Sequence, residues 1–264
     1  MKLQIKGNGT GRDIVTVTPE SARWRYVGFA VKRMVRGDEL MFDTDSTEVC
    51  LVVLTGVVTV VTPEQTWREI GGRRSVFEYK SPFAVYLPPR TQVRIDAHDA
   101  AEVAIASAPA EGRYEARLID PDAMTRSTRG SGSNARFVCD ILPQTERAES
   151  LLVVEVLTPS GHSSSYPPHK HDRDAIPEES VLEETYYHRI DPSQGFAFQR
   201  VYTDERDIDE VFAVEDHDVV MVPRGYHPVV MPHGYDGYYL NVMAGPQRVW
   251  HFKNDPAHEW MLAK

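Results

Sequence analysis

Short apolar runs rich in Val, Ile, Tyr and Phe, cut at frequent intervals by Gly, Pro, Asp and Asn, dominate this chain and predict β-strands. Residues 49–54 (Val-Cys-Leu-Val-Val-Leu), the pair Thr55-Gly56 and residues 57–61 (Val-Val-Thr-Val-Val) read as strand, turn, strand. The pattern continues at 83–87, 93–95 and 102–106, then at 151–157, 184–190, 195–202, 218–222 and 237–243. No segment holds a helical period beyond about three turns. An all-β protein is expected, a sandwich or barrel with few and short helices.

One stretch breaks the pattern. Residues 126–134 (Arg-Ser-Thr-Arg-Gly-Ser-Gly-Ser-Asn) contain no apolar side chain and read as the crossing between two halves. The organisation expected is an N-terminal barrel over 1–125, a linker over 126–145 and a C-terminal barrel over 146–264. The halves look like a degenerate repeat. Glu48 leads a strand and Leu87-Pro88-Pro89-Arg90 follows; Glu184 leads another and Val222-Pro223-Arg224-Gly225 follows. The first half has no histidine before His98, so chemistry is expected in the second alone.

With 264 residues the chain can bury one large core or two ordinary ones, and 41% apolar with 26% charged residues is an ordinary globular balance. A formal charge of −10 argues against nucleic acid and anionic membranes as partners. An anionic substrate would need a local Arg or Lys cluster to attract it. Cys50 and Cys139, far apart, suit free thiols in a reducing compartment. Residues 1–7 lack the apolar core of a signal peptide, and the longest apolar stretch, 49–61, is too short to span a bilayer. A cytoplasmic setting is expected.

Candidate chemistry lies in Pro167-Pro168-His169-Lys170-His171, then Glu183-Glu184, then Pro223-Arg224-Gly225-Tyr226-His227. Histidines at i and i+2 of an extended segment share a face. Brought together with one carboxylate and a third histidine, they form a metal site of three nitrogens and one oxygen. That set suits zinc, manganese, iron or nickel and suits magnesium or calcium poorly. Glu183 and Glu184 point to opposite faces, so only one can face the metal. The bland readings are exposed loop histidines and, for Glu183 and His233, solvated side chains.

These motifs, with Gly161, Gly195 and Asn241, resemble the cupin superfamily of small antiparallel barrels. The spacing departs from the common form, with twelve residues between His171 and Glu184 and one between Gly225 and His227. Residues 169–172, 183–187, 195–203, 222–228 and 238–246 are similar to the 5-deoxy-glucuronate isomerases, bicupin enzymes of bacterial myo-inositol catabolism. Residues 24–29, 54–56, 127–130 and 255–260 fit as well. A related family, the ketol-isomerases of hexosulose uronates, shares the plan and a zinc held by three His and one Glu.

The resemblance implies an aldose–ketose isomerisation of 5-deoxy-D-glucuronate, a small anionic sugar acid, to 5-dehydro-2-deoxy-D-gluconate. It implies one divalent transition metal, zinc first, on His169, His171, Glu184 and His227, and a homo-oligomer. Tyr186 is a candidate base and His188 a candidate substrate contact. Arg200, with Arg189, Arg224 and Lys170, is a candidate for gripping the substrate carboxylate. The rival readings are an iron cupin dioxygenase and a non-enzymatic sugar-acid binder. Residues 255–260 are expected to dock against the barrel or a neighbouring subunit.

Overall fold

Runs such as 49–54 and 151–157 are apolar at every position, although a strand with one wet face needs apolar residues only at alternate positions. The computed structural model, which describes residues 2–263, explains this by burying both faces. A six-stranded sheet pairs Arg117–Ile119, Phe83–Leu87, Thr47–Thr55, Ala101–Pro109, Gly28–Met34 and Asp13–Val17 in that order. A seven-stranded sheet pairs Gln4–Ile5, Val219–Val222, Glu183–Asp191, Asp236–Ala244, Leu152–Thr158, Arg136–Leu142 and Thr125–Arg129. Each has a smaller four-stranded partner sheet, with Glu39–Asp43 and Val57–Val61 in one and Phe196–Tyr202 and Asp209–Glu215 in the other.

Side-chain alternation then sorts the core into three parts. In the strand Thr47–Thr55, Val49, Leu51 and Val53 fill the first half's interior, while Cys50, Val52 and Leu54 belong to a shared core between the halves. In Leu152–Thr158, Leu152, Val154 and Val156 face the second half's interior, and Val153 and Leu157 face the shared core. All named pairings are antiparallel, and among the described residues helices reduce to one α-turn, Pro19–Ala22, and four 3₁₀ segments, as expected for an all-β bicupin.

The segment 126–134 departs from its reading as a linker. Thr125–Arg129 pairs in register with Arg136–Leu142, so both lie in the seven-stranded sheet. It is an edge strand whose side chains are almost all exposed, and such a strand needs no apolar residue. The N-terminal strand Gln4–Ile5 also joins this sheet, through Val219 and Val220.

Candidate metal centre

The strand Glu183–Asp191 supplies the carboxylate. Glu184, Tyr186 and His188 point into the second half's interior, while Glu183 points the other way. Glu183 is not solvated: its carboxylate accepts hydrogen bonds from the backbone N–H groups of Arg25, Tyr26 and Val27 at 2.8–3.0 Å. His171 follows the short strand His169–Lys170, and Lys170 between the histidines turns to Asp172 and Asp204. His227 follows the turn 223–226, where Gly225 adopts φ +92° and a Cβ would meet the Tyr202 backbone carbonyl.

Three of the four expected ligands meet. The ligand atoms of His171, Glu184 and His227 lie within 4.8 Å of one another, and all three residues are buried. Glu184 Oε2 stands 3.0 Å from His171 Nε2 and 3.2 Å from His227 Nε2. His169 is not part of that group of ligand atoms, although its ring lies 4.9 Å from that of His227, as near as the His171 ring at 5.1 Å, and 6.5 Å from that of His171. It lines the cavity above the cluster and packs on Phe252 at 4.7 Å.

The outer nitrogens decide what the inner ones can do. His171 Nδ1 faces the Leu182 carbonyl at 3.1 Å, and His227 Nδ1 faces the Gly225 carbonyl at 2.8 Å. A carbonyl only accepts, so both Nδ1 atoms carry hydrogen and both Nε2 atoms are turned toward a carboxylate oxygen. Those groups share the space only with a proton or a cation between them. Consistently, His227 Nε2 is wholly buried and has no hydrogen-bond partner. Around a tetrahedral ion with bonds of about 2.0–2.1 Å, ligand atoms stand roughly 3.3 Å apart, close to the separations seen here. The residues therefore fit a transition-metal ion.

Electrostatics agree. With no ion present a proton fills that space: burial pushes the Glu184 carboxyl up and pulls His171 down, but their hydrogen bond and mutual attraction, with His227 beside them, outweigh both, raising His171 and holding Glu184 at about 2. Burial, helped by the neighbouring imidazoles, pulls His169 well below its ordinary value and leaves it neutral. Burial, then the Glu184 charge, raises the Tyr186 phenol well above its ordinary value.

Above the cluster lies a cavity of about 270 Å³, at the small end of ligand pockets (about 300–1,000 Å³). Val138, Val154, Val156, Trp250 and Phe252 make its apolar wall. Tyr186, Tyr239, Asn241, Arg129 and Arg136 are among its polar groups. Tyr186 Oη is 3.1 Å from Ser165 Oγ, and the Asn241 Nδ2 group is buried without a partner. The C-terminal segment docks on its own barrel: Lys253–Asn254 pairs with His169–Lys170, and Tyr202 donates to Asp255 at 2.7 Å.

The expected carboxylate-binding cations are elsewhere. Arg200 is half-exposed, pairs with Asp209 at 2.7 Å and stacks on Tyr202, because its strand turns it outward. Arg224 pairs with Asp207, Lys170 with Asp204 and Asp172, and Arg189 with Glu102 and Asp216 at the junction of the halves. None of the four lines the cavity. His188 is buried rather than at the rim. It stacks on Tyr186 at 6.0 Å and pairs with Gln199 Oε1 at 2.8 Å, outside the cavity wall. His233 is exposed, as expected.

Arg129 and Arg136 were missed, because 126–145 reads as a linker. The alternation of 136–141 (Arg-Phe-Val-Cys-Asp-Ile) was the available signal. Phe137, Cys139 and Ile141 take the shared core, which turns Arg136 and Val138 toward the cavity.

Residues 2–261 match the KduI/IolB family. The 5-deoxy-glucuronate isomerase of Geobacillus kaustophilus (strain HTA426) is 52% identical over 250 residues, covering 95% of this chain and 91% of that protein. The 5-deoxy-glucuronate isomerase of Bacillus subtilis (strain 168) is 50% identical over 249 residues, covering 94% and 92%. The crystal structure of an IolB-like protein from Salmonella typhimurium LT2 superposes with a TM-score of 0.98 at 45% identity, covering 99% of this chain and all of that one. Oxalate decarboxylase from Lactobacillus farciminis, at 10% identity and a TM-score of 0.67 over all of this chain and 91% of that one, shares the cupin fold alone. The bicupin architecture and the extent of the sequence match lead to one conclusion: the chain belongs to the KduI/IolB family.

Proposed function

We propose that this chain is an aldose–ketose isomerase that converts 5-deoxy-D-glucuronate to 5-dehydro-2-deoxy-D-gluconate. The carrying observation is the buried convergence of His171, Glu184 and His227 beneath a sugar-sized cavity, in a chain about half identical to 5-deoxy-glucuronate isomerases. His171, Glu184 and His227 would hold a divalent transition metal, zinc first, with His169, whose ring lies beside that of His227, as the fourth donor. An ion held by these residues would supply Lewis-acid chemistry at the C1 carbonyl and the C2 hydroxyl.

The reaction moves the C2 hydrogen to C1, removes the O2 proton and supplies one to O1. The carbonyls of Leu182 and Gly225 hold two imidazoles in the tautomer that presents Nε2. Tyr186 Oη, protonated in its buried setting, and Asn241 Nδ2 are donors for the substrate oxygens at C1 and C2. The apolar wall excludes water from the reacting carbons. The first half, 1–125, is a scaffold whose interior is filled by apolar side chains. Two buried free cysteines and the lack of any helix long and apolar enough to cross a membrane, among the described residues, suit a cytoplasmic setting.

Elemental analysis beside an assay with 5-deoxy-glucuronate tests this reading. His227→Ala is expected to lose the metal and more than about 10²-fold of the activity. Full activity in metal-free protein, or unchanged metal content in His227→Ala, would overturn it.

A further inference from the structure

Most half-buried and buried arginines of this chain are neutralised or saturated, and Arg117, which has no carboxylate partner, lies on the Tyr86 ring away from the cavity. Arg73 is neutralised by Glu155, both of whose carboxylate oxygens accept from Nη1, Arg189 has Glu102 and Asp216, and Arg248 spends its donors on five backbone carbonyls. Arg136 differs. It is half-buried and lines the cavity above the cluster. Its Nη1 donates to the Asn134 carbonyl and to Asn134 Oδ1, and among the described residues it has no carboxylate partner. Neither Nε nor Nη2 has a protein acceptor, and neither is sealed from solvent. Its register neighbour Arg129 also lines the cavity but leans on Asp140 at 3.5 Å.

A half-buried guanidinium with no counter-charge and two donors open to the cavity is a ready seat for an anion. Here it faces the cavity that Glu184 also lines, in a molecule of net charge −10. An anion entering that cavity is attracted at Arg136. The two residues stand three strands apart in the seven-stranded sheet, so they mark different stations of one wall.

We propose that Arg136 is the carboxylate anchor of this site, gripping the acid end of the substrate through Nε and Nη2 and so directing its aldehyde end to the His171–Glu184–His227 cluster. A planar fork of two parallel donors matches a carboxylate. The inference rests on the sugar-acid reading above and adds the residue that sets specificity for acids over neutral sugars.

The test compares metal-loaded wild type, Arg136→Gln and Arg136→Lys for equilibrium binding of D-glucuronate against D-glucuronamide, with isomerisation of 5-deoxy-glucuronate measured in parallel. Wild type is expected to favour the acid. Arg136→Gln is expected to weaken the acid on the order of 10²-fold while moving the amide less than about threefold, with metal content unchanged. Arg136→Lys, which keeps charge but loses the fork, should recover about a tenth of the wild-type affinity or more. Equal weakening of acid and amide, or an acid preference that survives Arg136→Gln, overturns the anchor. If Arg136→Gln does not fold, the same comparison is made with Arg136→Lys, where equal losses again overturn it. Acid binding that depends on Arg136 without isomerisation by wild type would sink the isomerase reading and leave the anchor standing.

Discussion

His188 shows what one buried side chain does to this molecule. Burial lowers it to about 4, against the partial support of its bond to Gln199. An unfolded histidine titrates near 6.5. Between those values the unfolded chain binds more protons, so stability rises with pH there. The contribution is complete above about pH 6.5 and is lost as pH falls toward 4. It amounts to about 3 kcal/mol for one fully buried group. Denaturant titrations of wild type and His188→Gln from pH 4 to 7 should differ in slope by about one proton. Parallel curves would mean that His188 is not the group being protonated.

At the scale of elements, two strands carry matching clasps. Glu48, in Thr47–Thr55, accepts from the backbone N–H groups of Glu149, Ser150 and Leu151 at 2.7–2.8 Å, and from Tyr86 Oη at 2.7 Å. Glu183, in Glu183–Asp191, accepts from residues 25–27 in the opposite half. Each half thus ties down a loop of the other with a glutamate near the start of a central strand. The repeat aligns Glu48 with Glu183 and not with Glu184, which leaves Glu184 free for the cavity. Glu48→Ala strands three N–H groups and a phenol, and a loss of about 2–4 kcal/mol is expected from the denaturant midpoint. Glu183→Ala should cost somewhat less, since its loop is more exposed. A loss under about 0.5 kcal/mol in Glu48→Ala would show that water replaces the carboxylate freely.

The whole molecule depends on the core shared between its halves. Tyr187, Leu240 and Val242 from the seven-stranded sheet meet Phe29, Val52 and Ala104 from the six-stranded one, with Phe29 and Tyr187 rings 5.7 Å apart. Residues 120–264 alone would expose that apolar face and lose the strand Gln4–Ile5. Such a fragment is expected to aggregate or to bind ANS with weak near-UV dichroism. A monomeric fragment with native near-UV dichroism and bound metal would show that the scaffold half is dispensable.

Strands and the clustered histidines were legible because both are local signals. Apolar runs cut by turn residues mark strands, and His169-x-His171 declares one face of an extended segment. The all-β class, the bicupin plan and the family followed from the chain's own order of residues. Which cation faces the cavity, where Glu183 points and how far His169 stands from the cluster were not legible. Each depends on contacts between residues tens to more than a hundred positions apart. Arg136 and Arg200 look alike as sequence; one has a carboxylate across the ladder and the other does not. Local pattern sets the direction of a side chain along its strand, but only sheet packing brings it a partner or leaves it open to a ligand.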